Sequence, residues 1–211
     1  MDFAEEFYAR LSSLRDREPF RFPPAEIPSH FRRAAVLLPF WSSHGEVWVV
    51  LTRRSPSLSE HTGQTAFPGG RLAPNETWIQ AALREANEEV GIEPDSVEVL
   101  GELDDAWSGA GHHIVPVVGW LSTSPKLRSN PSEVAEILFA RVSELLRPES
   151  RGEDEIVHNG VRYINPTLSW SGGDAYGLSA DLLLEALEWG IGGQPARGLV
   201  RLRELRRYLS T

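Results

Sequence analysis

Residues 70–92 read GRLAPNETWIQAALREANEEVGI, and this stretch decides the fold. Its second half predicts one amphipathic helix, because apolar side chains recur there at intervals of three and four residues. The apolar stripe consists of Trp78, Ile79, Ala82, Leu83, Ala86 and Val90. Gly91 directly follows it and is typical of a residue that ends a helix. Glycines at positions 63, 69 and 70 indicate a loop ahead of the helix.

Three glutamates lie on one face of this helix. Glu85, Glu88 and Glu89 are spaced i, i+3 and i+4, which brings three carboxylates together. Their mutual repulsion in a half-buried site is costly unless a cation lies among them. Carboxylate oxygens suit Mg²⁺, which polarises phosphoryl oxygens and activates water. Three glutamates alone would be typical of a solvated acidic face, but the apolar stripe and the glycine loop favour a metal site.

The complete stretch resembles the Nudix box, the motif of a family of hydrolases that cut pyrophosphate bonds. That motif is a glycine, five residues, a glutamate, seven residues and then Arg-Glu-apolar-x-Glu-Glu-x-Gly-apolar, and every charged and glycine position matches. The resemblance implies three catalytic residues that also bind Mg²⁺ or Mn²⁺, namely Glu85, Glu88 and Glu89. A backbone carbonyl near Gly69 is implied as a further ligand. Structural roles are implied for Gly70, Glu76, Arg84 and Gly91.

Two further features follow from the resemblance. Arg84 and Glu76 are expected to pair with each other or with a catalytic glutamate. Many Nudix enzymes also recruit an acidic residue from a later loop. Four glutamates are open candidates for that role: Glu133, Glu136, Glu153 and Glu155.

The segment before the box indicates a branch of the family. Residues 50–70 read VLTRRSPSLSEHTGQTAFPGG and resemble the corresponding motif of coenzyme A pyrophosphatases, as do residues 115–121, 130–139 and 176–183. The implied reaction is cleavage of coenzyme A into 3′,5′-ADP and 4′-phosphopantetheine. Ser59 stands where that branch usually has an arginine, which affects the expected recognition of the 3′-phosphate.

Four residues of this segment are the predicted substrate contacts: Arg54, His61, Gln64 and Phe67. The guanidinium of Arg54 could grip a phosphate in a bidentate manner, or form a surface ion pair at a strand end. His61 could contact a phosphate or carry a proton, or only hydrogen-bond within its loop. The same structural alternative applies to Gln64.

Composition sets outer limits on function. The net charge is -9, from 30 acidic and 21 basic residues, which argues against binding of nucleic acid polymers. A small-molecule diphosphate remains compatible, because a bound divalent cation supplies local positive charge. The chain has no cysteine, and its longest apolar runs are too short to span a bilayer. The first 17 residues contain no apolar signal segment, so we expect a cytoplasmic protein without membrane contact.

The order of elements predicts an α+β protein in three parts. Residues 1–29 are expected to form an amphipathic helix and a proline-rich extension, although a flexible tail is an alternative. Residues 30–195 are the expected Nudix domain, an α/β/α sandwich with a mixed β-sheet and flanking helices. Residues 196–211 predict an amphipathic helix that packs on the domain or on a partner subunit, the latter giving a homodimer. Asn159-Gly160 is the strongest hairpin signal.

Two rival functions remain open at this level. The first is hydrolysis of another substrate, such as ADP-ribose, a dinucleotide or a nucleoside triphosphate, and the missing arginine at Ser59 motivates it. The second is a non-catalytic Nudix module that only binds a ligand. The intact set of glutamates argues against a module, because binding alone does not need them.

Overall fold

The computed structural model describes residues 1–56 and 63–210, and a mixed sheet lies at its centre. The helices of the described residues are α1 (Phe3–Ser12), α2 (Trp78–Val90), α3 (Val142–Leu145), α4 (Leu178–Gly190) and α5 (Arg197–Leu209). The strands are β1 (Arg32–Ser43), β2 (Glu46–Arg54), β3 (Thr65–Ala66), β4 (Gly69–Arg71), β5 (Val97–Glu102), β6 (Ala106–Ser108), β7 (His112–Leu121), β8 (Val134–Arg141), β9 (Arg151–His158), β10 (Val161–Trp170) and β11 (Gly173–Tyr176).

The long strand β1 organises the sheet. It runs parallel to β7 along one edge, from the pair Arg32–His112 to the pair Phe40–Trp120. Its other edge is shared by two antiparallel strands, β4 at the beginning and β2 at the end. The strands β3 and β8 pair with β2, and β5 and β6 pair with β7. A separate antiparallel sheet has the order β11-β10-β9.

Alternating side chains of β1 divide the core into two layers. Leu38 and Phe40 belong to the layer that contains buried residues of α1 and α4. Leu37 and Trp41 belong to the other layer, together with the buried face of α2. Because successive side chains of a strand point to opposite faces, the sheet lies between α2 and the pair α1 and α4. This arrangement confirms the predicted α+β sandwich with a mixed sheet and flanking helices.

The two ends of the chain pack against each other. Phe22, in the proline-rich segment, is buried against Leu202 and Leu205 of α5. The indole N–H of Trp107 donates to the carbonyl of Arg201 at 3.0 Å, which ties α5 to the sheet. This surface of α5 therefore faces its own chain, whereas a homodimer and the three-part division of the chain stay predictions. Within the described residues, no helix is long and apolar enough to cross a membrane.

Asp104 is the buried residue that holds both ends in place. It forms an ion pair with Arg17 and accepts the backbone N–H of Phe20 at 2.9 Å. Its second carboxylate oxygen accepts the N–H of Gly198, at the start of α5, at 2.8 Å. One carboxylate thus receives hydrogen bonds from segments that lie at opposite ends of the sequence.

The strand and helix bounds depart from the sequence prediction in specific places. Helix α1 ends at Ser12 and a 3₁₀ helix follows from Ser13 to Asp16, so the predicted N-terminal helix changes type along its length. The predicted hairpin at Asn159-Gly160 is confirmed and joins β9 to β10. The strands β3, β4 and β6 were not predicted, since two or three residues carry no periodic signal.

We expect Asp104→Asn to lower the free energy of unfolding by about 3 kcal/mol, because it removes the buried charge of Asp104 and leaves the partly buried Arg17 guanidinium without its counterion. Urea denaturation followed by circular dichroism measures this loss. Glu26→Gln is the matched control, since Glu26 also joins the N-terminal extension to α5, through Arg206, but at the surface. That variant should unfold like the wild type. Equal stability of all three proteins would contradict the anchoring role of Asp104.

Candidate active site

The helix α2 is fixed at both ends by local sequence. The Thr77 hydroxyl accepts the N–H of Gln80 at 3.2 Å, and the Gln80 side chain accepts the N–H of Thr77 at 2.9 Å, which is a capping box. Gly91 ends the helix with φ +73°, a left-handed conformation that glycine adopts without strain. Ala82 and Ala86 are fully buried, so their small side chains let the helix lie close to the sheet. The two caps and the close packing on the sheet together fix the positions of the glutamates of α2.

Three carboxylates converge beside α2. Glu85, Glu89 and Glu133 each offer an oxygen that lies within 4.8 Å of the other two. Glu89 is only 5% exposed, and its Oε2 accepts the backbone N–H of Gly69 at 3.1 Å. The structure thus brings two of the predicted ligands together with one of the four later acidic candidates. The Gly69 carbonyl as a ligand stays a prediction.

The other acidic candidates lie in different environments. Glu136 is paired with Arg53, and Glu155 forms an exposed pair with Arg162. Glu153 lies exposed on β9. Glu88 is 53% exposed and contacts Arg84 at 3.2 Å, outside the cluster of three carboxylates. Its assignment as a ligand and a catalytic residue stays a prediction.

Burial makes this cluster electrostatically costly. The pKa of Glu89 is raised to about 8, chiefly by desolvation and then by the negative charges of Glu85 and Glu133, against the opposing effects of the Gly69 N–H and the Arg54 charge. Burial also raises the pKa of Glu85. A divalent cation would relieve this cost, since hard carboxylate oxygens are the ligands that Mg²⁺ and Mn²⁺ prefer. The residues present therefore fit a divalent metal ion.

Arg84 joins the segment before α2 to the helix itself. Its Nε and Nη2 donate to the two carboxylate oxygens of Glu76 at 2.8 and 3.0 Å, and the Arg84 guanidinium holds the pKa of Glu76 below its usual range. Nη2 also donates to the carbonyl of Arg71 at 2.9 Å, and Nη1 donates to Oε1 of Glu85 at 2.7 Å. Arg84 thus contacts both of its predicted partners, Glu76 and a glutamate of the cluster.

Gly70 makes room for Glu85. A Cβ atom at position 70 would lie 2.5 Å from Oε2 of Glu85 and 2.6 Å from its Oε1. Such a distance is far inside van der Waals contact, so only glycine lets the carboxylate occupy this place. This close approach to Glu85 is consistent with the structural role predicted for Gly70.

A backbone hydrogen bond joins the upstream segment to the cluster. The N–H of Arg54 donates to the carbonyl of Gln64 at 3.0 Å, and the N–H of Gly63 donates to the carbonyl of Arg54 at 3.2 Å. The N–H of Ser55 donates to the carbonyl of Glu133 at 2.8 Å. The segment that precedes Gly63 is therefore bonded to the acidic cluster at Ser55, through Glu133, while Gly63 itself is bonded to Arg54.

The predicted substrate contacts differ in where they lie. Arg54 is close enough for its charge to lower the pKa of Glu89, and its Nε is buried without a hydrogen-bond partner in the described part of the chain. Phe67 is 4% exposed and packs in the core layer of α1 and α4, so here it contributes to packing. His61 and Ser59 lie outside the described residues. The substrate contacts of Arg54, His61, Gln64 and Phe67 stay predictions.

Comparison with known proteins identifies the family. Residues 30–159 match the NUDIX domain profile. A protein of Photorhabdus laumondii named uncharacterized Nudix hydrolase NudL is 46% identical over 142 residues, which are 67% of this chain and 75% of that protein. A protein of the same name from Yersinia pestis is 37% identical over 154 residues, 72% of this chain and 76% of that protein. The chain belongs to the Nudix family and is a hydrolase that acts on a pyrophosphate bond.

One solved structure extends the comparison to nearly the whole chain. A MutT/nudix family protein from Enterococcus faecalis superposes with a TM-score of 0.51, covering 96% of this chain and 87% of that one. Its sequence identity is 14%, so the similarity supports the fold alone.

In metal-free protein, we expect stability to fall as the pH rises from about 4.5 to about 8. The folded state binds the Glu89 proton more tightly than the unfolded chain does, so this group stabilises the fold at low pH and loses that contribution as it ionises. Glu89→Gln should remove this part of the pH dependence and abolish stabilisation by Mn²⁺. Thermal unfolding in chelator, and then with Mn²⁺, measures both effects. A variant with the pH profile and the Mn²⁺ response of the wild type would contradict the assignment.

We expect Gly70→Ala to reduce turnover of a diphosphate substrate roughly 100-fold, because the methyl group displaces the Glu85 carboxylate. The melting temperature should change little, since the displaced group is the end of a flexible side chain. Gly109→Ala is the control, because a Cβ there meets only the Tyr208 hydroxyl, at 3.7 Å. Steady-state kinetics with a thermal melt separates the two effects. Full activity of Gly70→Ala would show that this carboxylate position is not needed.

Proposed function

We propose that this Nudix hydrolase cleaves coenzyme A or acyl-coenzyme A with Mg²⁺ or Mn²⁺, releasing 3′,5′-ADP and the corresponding 4′-phosphopantetheine. The observation that carries the proposal is the place of the upstream segment. Its sequence resembles that of coenzyme A pyrophosphatases, and its Ser55 N–H donates to the carbonyl of Glu133, a residue of the carboxylate cluster. A loop anchored there supports contact with the substrate whose pyrophosphate is cut.

The roles of the side chains follow from their charge and burial. Glu85, Glu89 and Glu133 would hold the metal ion, which supplies positive charge against the phosphates and lowers the pKa of bound water. The buried Nε of Arg54 has no hydrogen-bond partner among the described residues, and Arg54 lies near Glu89, which supports a contact with a phosphate oxygen. Glu88 is half exposed, which supports a role as proton acceptor for water.

The chemistry balances as a simple hydrolysis. Water adds across the P–O–P bond of the substrate, the oxygen bridge breaks, and both products leave as phosphate monoesters. The increase in negative charge favours a site that can neutralise it during the reaction. The excess of acidic side chains in the cluster is consistent with a metal ion as the source of that neutralisation.

Ser59 motivates the second candidate function. It replaces the arginine usual in the coenzyme A branch, so the 3′-phosphate has lost one expected partner. A diphosphate without that group, such as ADP-ribose or a dinucleotide, would not need this contact. A nucleoside triphosphate is the third option within the same chemistry.

We expect purified protein with Mg²⁺ or Mn²⁺ to convert coenzyme A faster than ADP-ribose, NADH or a nucleoside triphosphate at equal concentration. Product analysis by chromatography identifies 3′,5′-ADP directly. Dephospho-coenzyme A is the matched comparison, since it lacks only the 3′-phosphate, and Glu89→Gln is the inactive control. Preferential hydrolysis of another diphosphate would overturn the coenzyme A proposal. Binding of these ligands without turnover would favour the non-catalytic module.

A further inference from the structure

The C-terminal end of α2 is capped by a distant segment. Carbonyl groups in the last turn of a helix lack partners within the helix. The carbonyl of Glu89 accepts the N–H of Asn130 at 2.8 Å, and the carbonyl of Val90 accepts the N–H of Arg128 at 3.0 Å. The segment from Arg128 to Asn130 is therefore docked on the turn that carries a buried carboxylate of the cluster.

Asn130 also organises the turn that delivers Glu133. Its Oδ1 accepts the N–H and the hydroxyl of Ser132 at 3.2 and 2.7 Å, which is an Asx-type turn. Its carbonyl accepts the N–H of Glu133 at 3.0 Å and that of Val134 at 2.8 Å. Its Nδ2 donates to Oε1 of Glu133 at 3.4 Å. One residue thus contacts both the backbone of Glu89 and the carboxylate of Glu133.

We propose that Asn130 is a positioning residue that sets Glu133 against Glu89 and thereby sets the affinity for a divalent cation, an inference that rests on the metal-dependent function proposed above. The backbone bonds fix the separation of the two chain segments. The long Nδ2 bond selects the side-chain direction of Glu133. The bond from Ser55 to the Glu133 carbonyl holds the other side of the turn.

An asparagine side chain can accept the bonds from Ser132 and also donate to Glu133. Asparagine presents an acceptor oxygen and two donor hydrogens on the same group. The acceptor is used by Ser132, and a donor is directed at Glu133. Aspartate would place a second negative charge against Glu133, and alanine would offer neither contact.

The test is a double-mutant cycle in Mn²⁺ binding, measured by electron paramagnetic resonance of free Mn²⁺ on full-length protein. We expect Asn130→Ala to weaken Mn²⁺ binding roughly 10-fold, as is usual when a partner of a ligand is lost. Because Asn130 acts through Glu133, the double variant with Glu133→Gln should bind Mn²⁺ as Glu133→Gln alone does. Thermal unfolding of each variant records whether the fold is retained.

Two further variants keep the test decisive. Ser132→Ala removes a bond of the same turn but not the one to Glu133, so its Mn²⁺ affinity should stay within about twofold of the wild type. Asn130→Ser retains an oxygen acceptor for the turn but is too short to reach Glu133. It should reproduce the loss seen with Asn130→Ala, and it serves in place of that variant if the alanine protein does not fold.

The outcomes separate this inference from the proposed function. Wild-type affinity in Asn130→Ala and Asn130→Ser, while Glu133→Gln binds weakly, would overturn the positioning role and leave the metal site intact. Additive losses in the double variant would overturn it as well. Wild-type affinity in Glu133→Gln would also overturn it, since Asn130 would then have no ligand to place. The expected cycle in a protein that leaves coenzyme A uncut would support the inference while removing the substrate proposal.

Discussion

Three carboxylates of like charge are held close together in this structure and largely out of water. Glu85, Glu89 and Glu133 converge with only partial access to solvent, and such an arrangement repels itself. The fold holds these carboxylates together through a capped helix, a docked loop and the Gly69 N–H. A site that is costly when empty of cations gains affinity for them, since metal binding removes the cost. The arrangement that favours metal binding therefore lowers the stability of the metal-free protein.

Arg84 shows how the protein limits that cost without cancelling it. The guanidinium is shared between Glu76, which is structural, and Glu85, which faces the cluster. Its charge offsets part of the repulsion at the rim, while Glu89 remains farther inside with a raised pKa. The loop carboxylate of Glu76 is therefore paired with a guanidinium, whereas the buried Glu89 has only the Gly69 N–H and the nearby Arg54 charge to offset its burial. The buried carboxylates of the cluster are therefore the groups whose charge a cation would neutralise.

The sequence predicts the glutamates that α2 contributes to the site, but it does not select the glutamate that a distant segment contributes. Helical spacing places Glu85 and Glu89 on one face, and the structure joins them. The same rule includes Glu88, yet Glu88 and Glu89 are about 100° apart around the helix, so Glu88 extends to the solvent side. Glu133 could not be selected from four candidates, because its place depends on backbone bonds between distant segments. The Asn-Pro-Ser-Glu turn at 130–133 was the one local signal for it.

The shared anchor of the two chain ends has a consequence for biosynthesis. Arg17 and Phe20 are synthesised well before Gly198, which meets them at Asp104. Phe22 therefore stays without its α5 neighbours until α5 has been synthesised. The central sheet and α2 can form before that moment, because their strands all lie between Arg32 and Arg141. Closure of the N-terminal segment over α5 thus follows synthesis of the sheet, and a chain that stops before α5 would expose the apolar surface around Phe22.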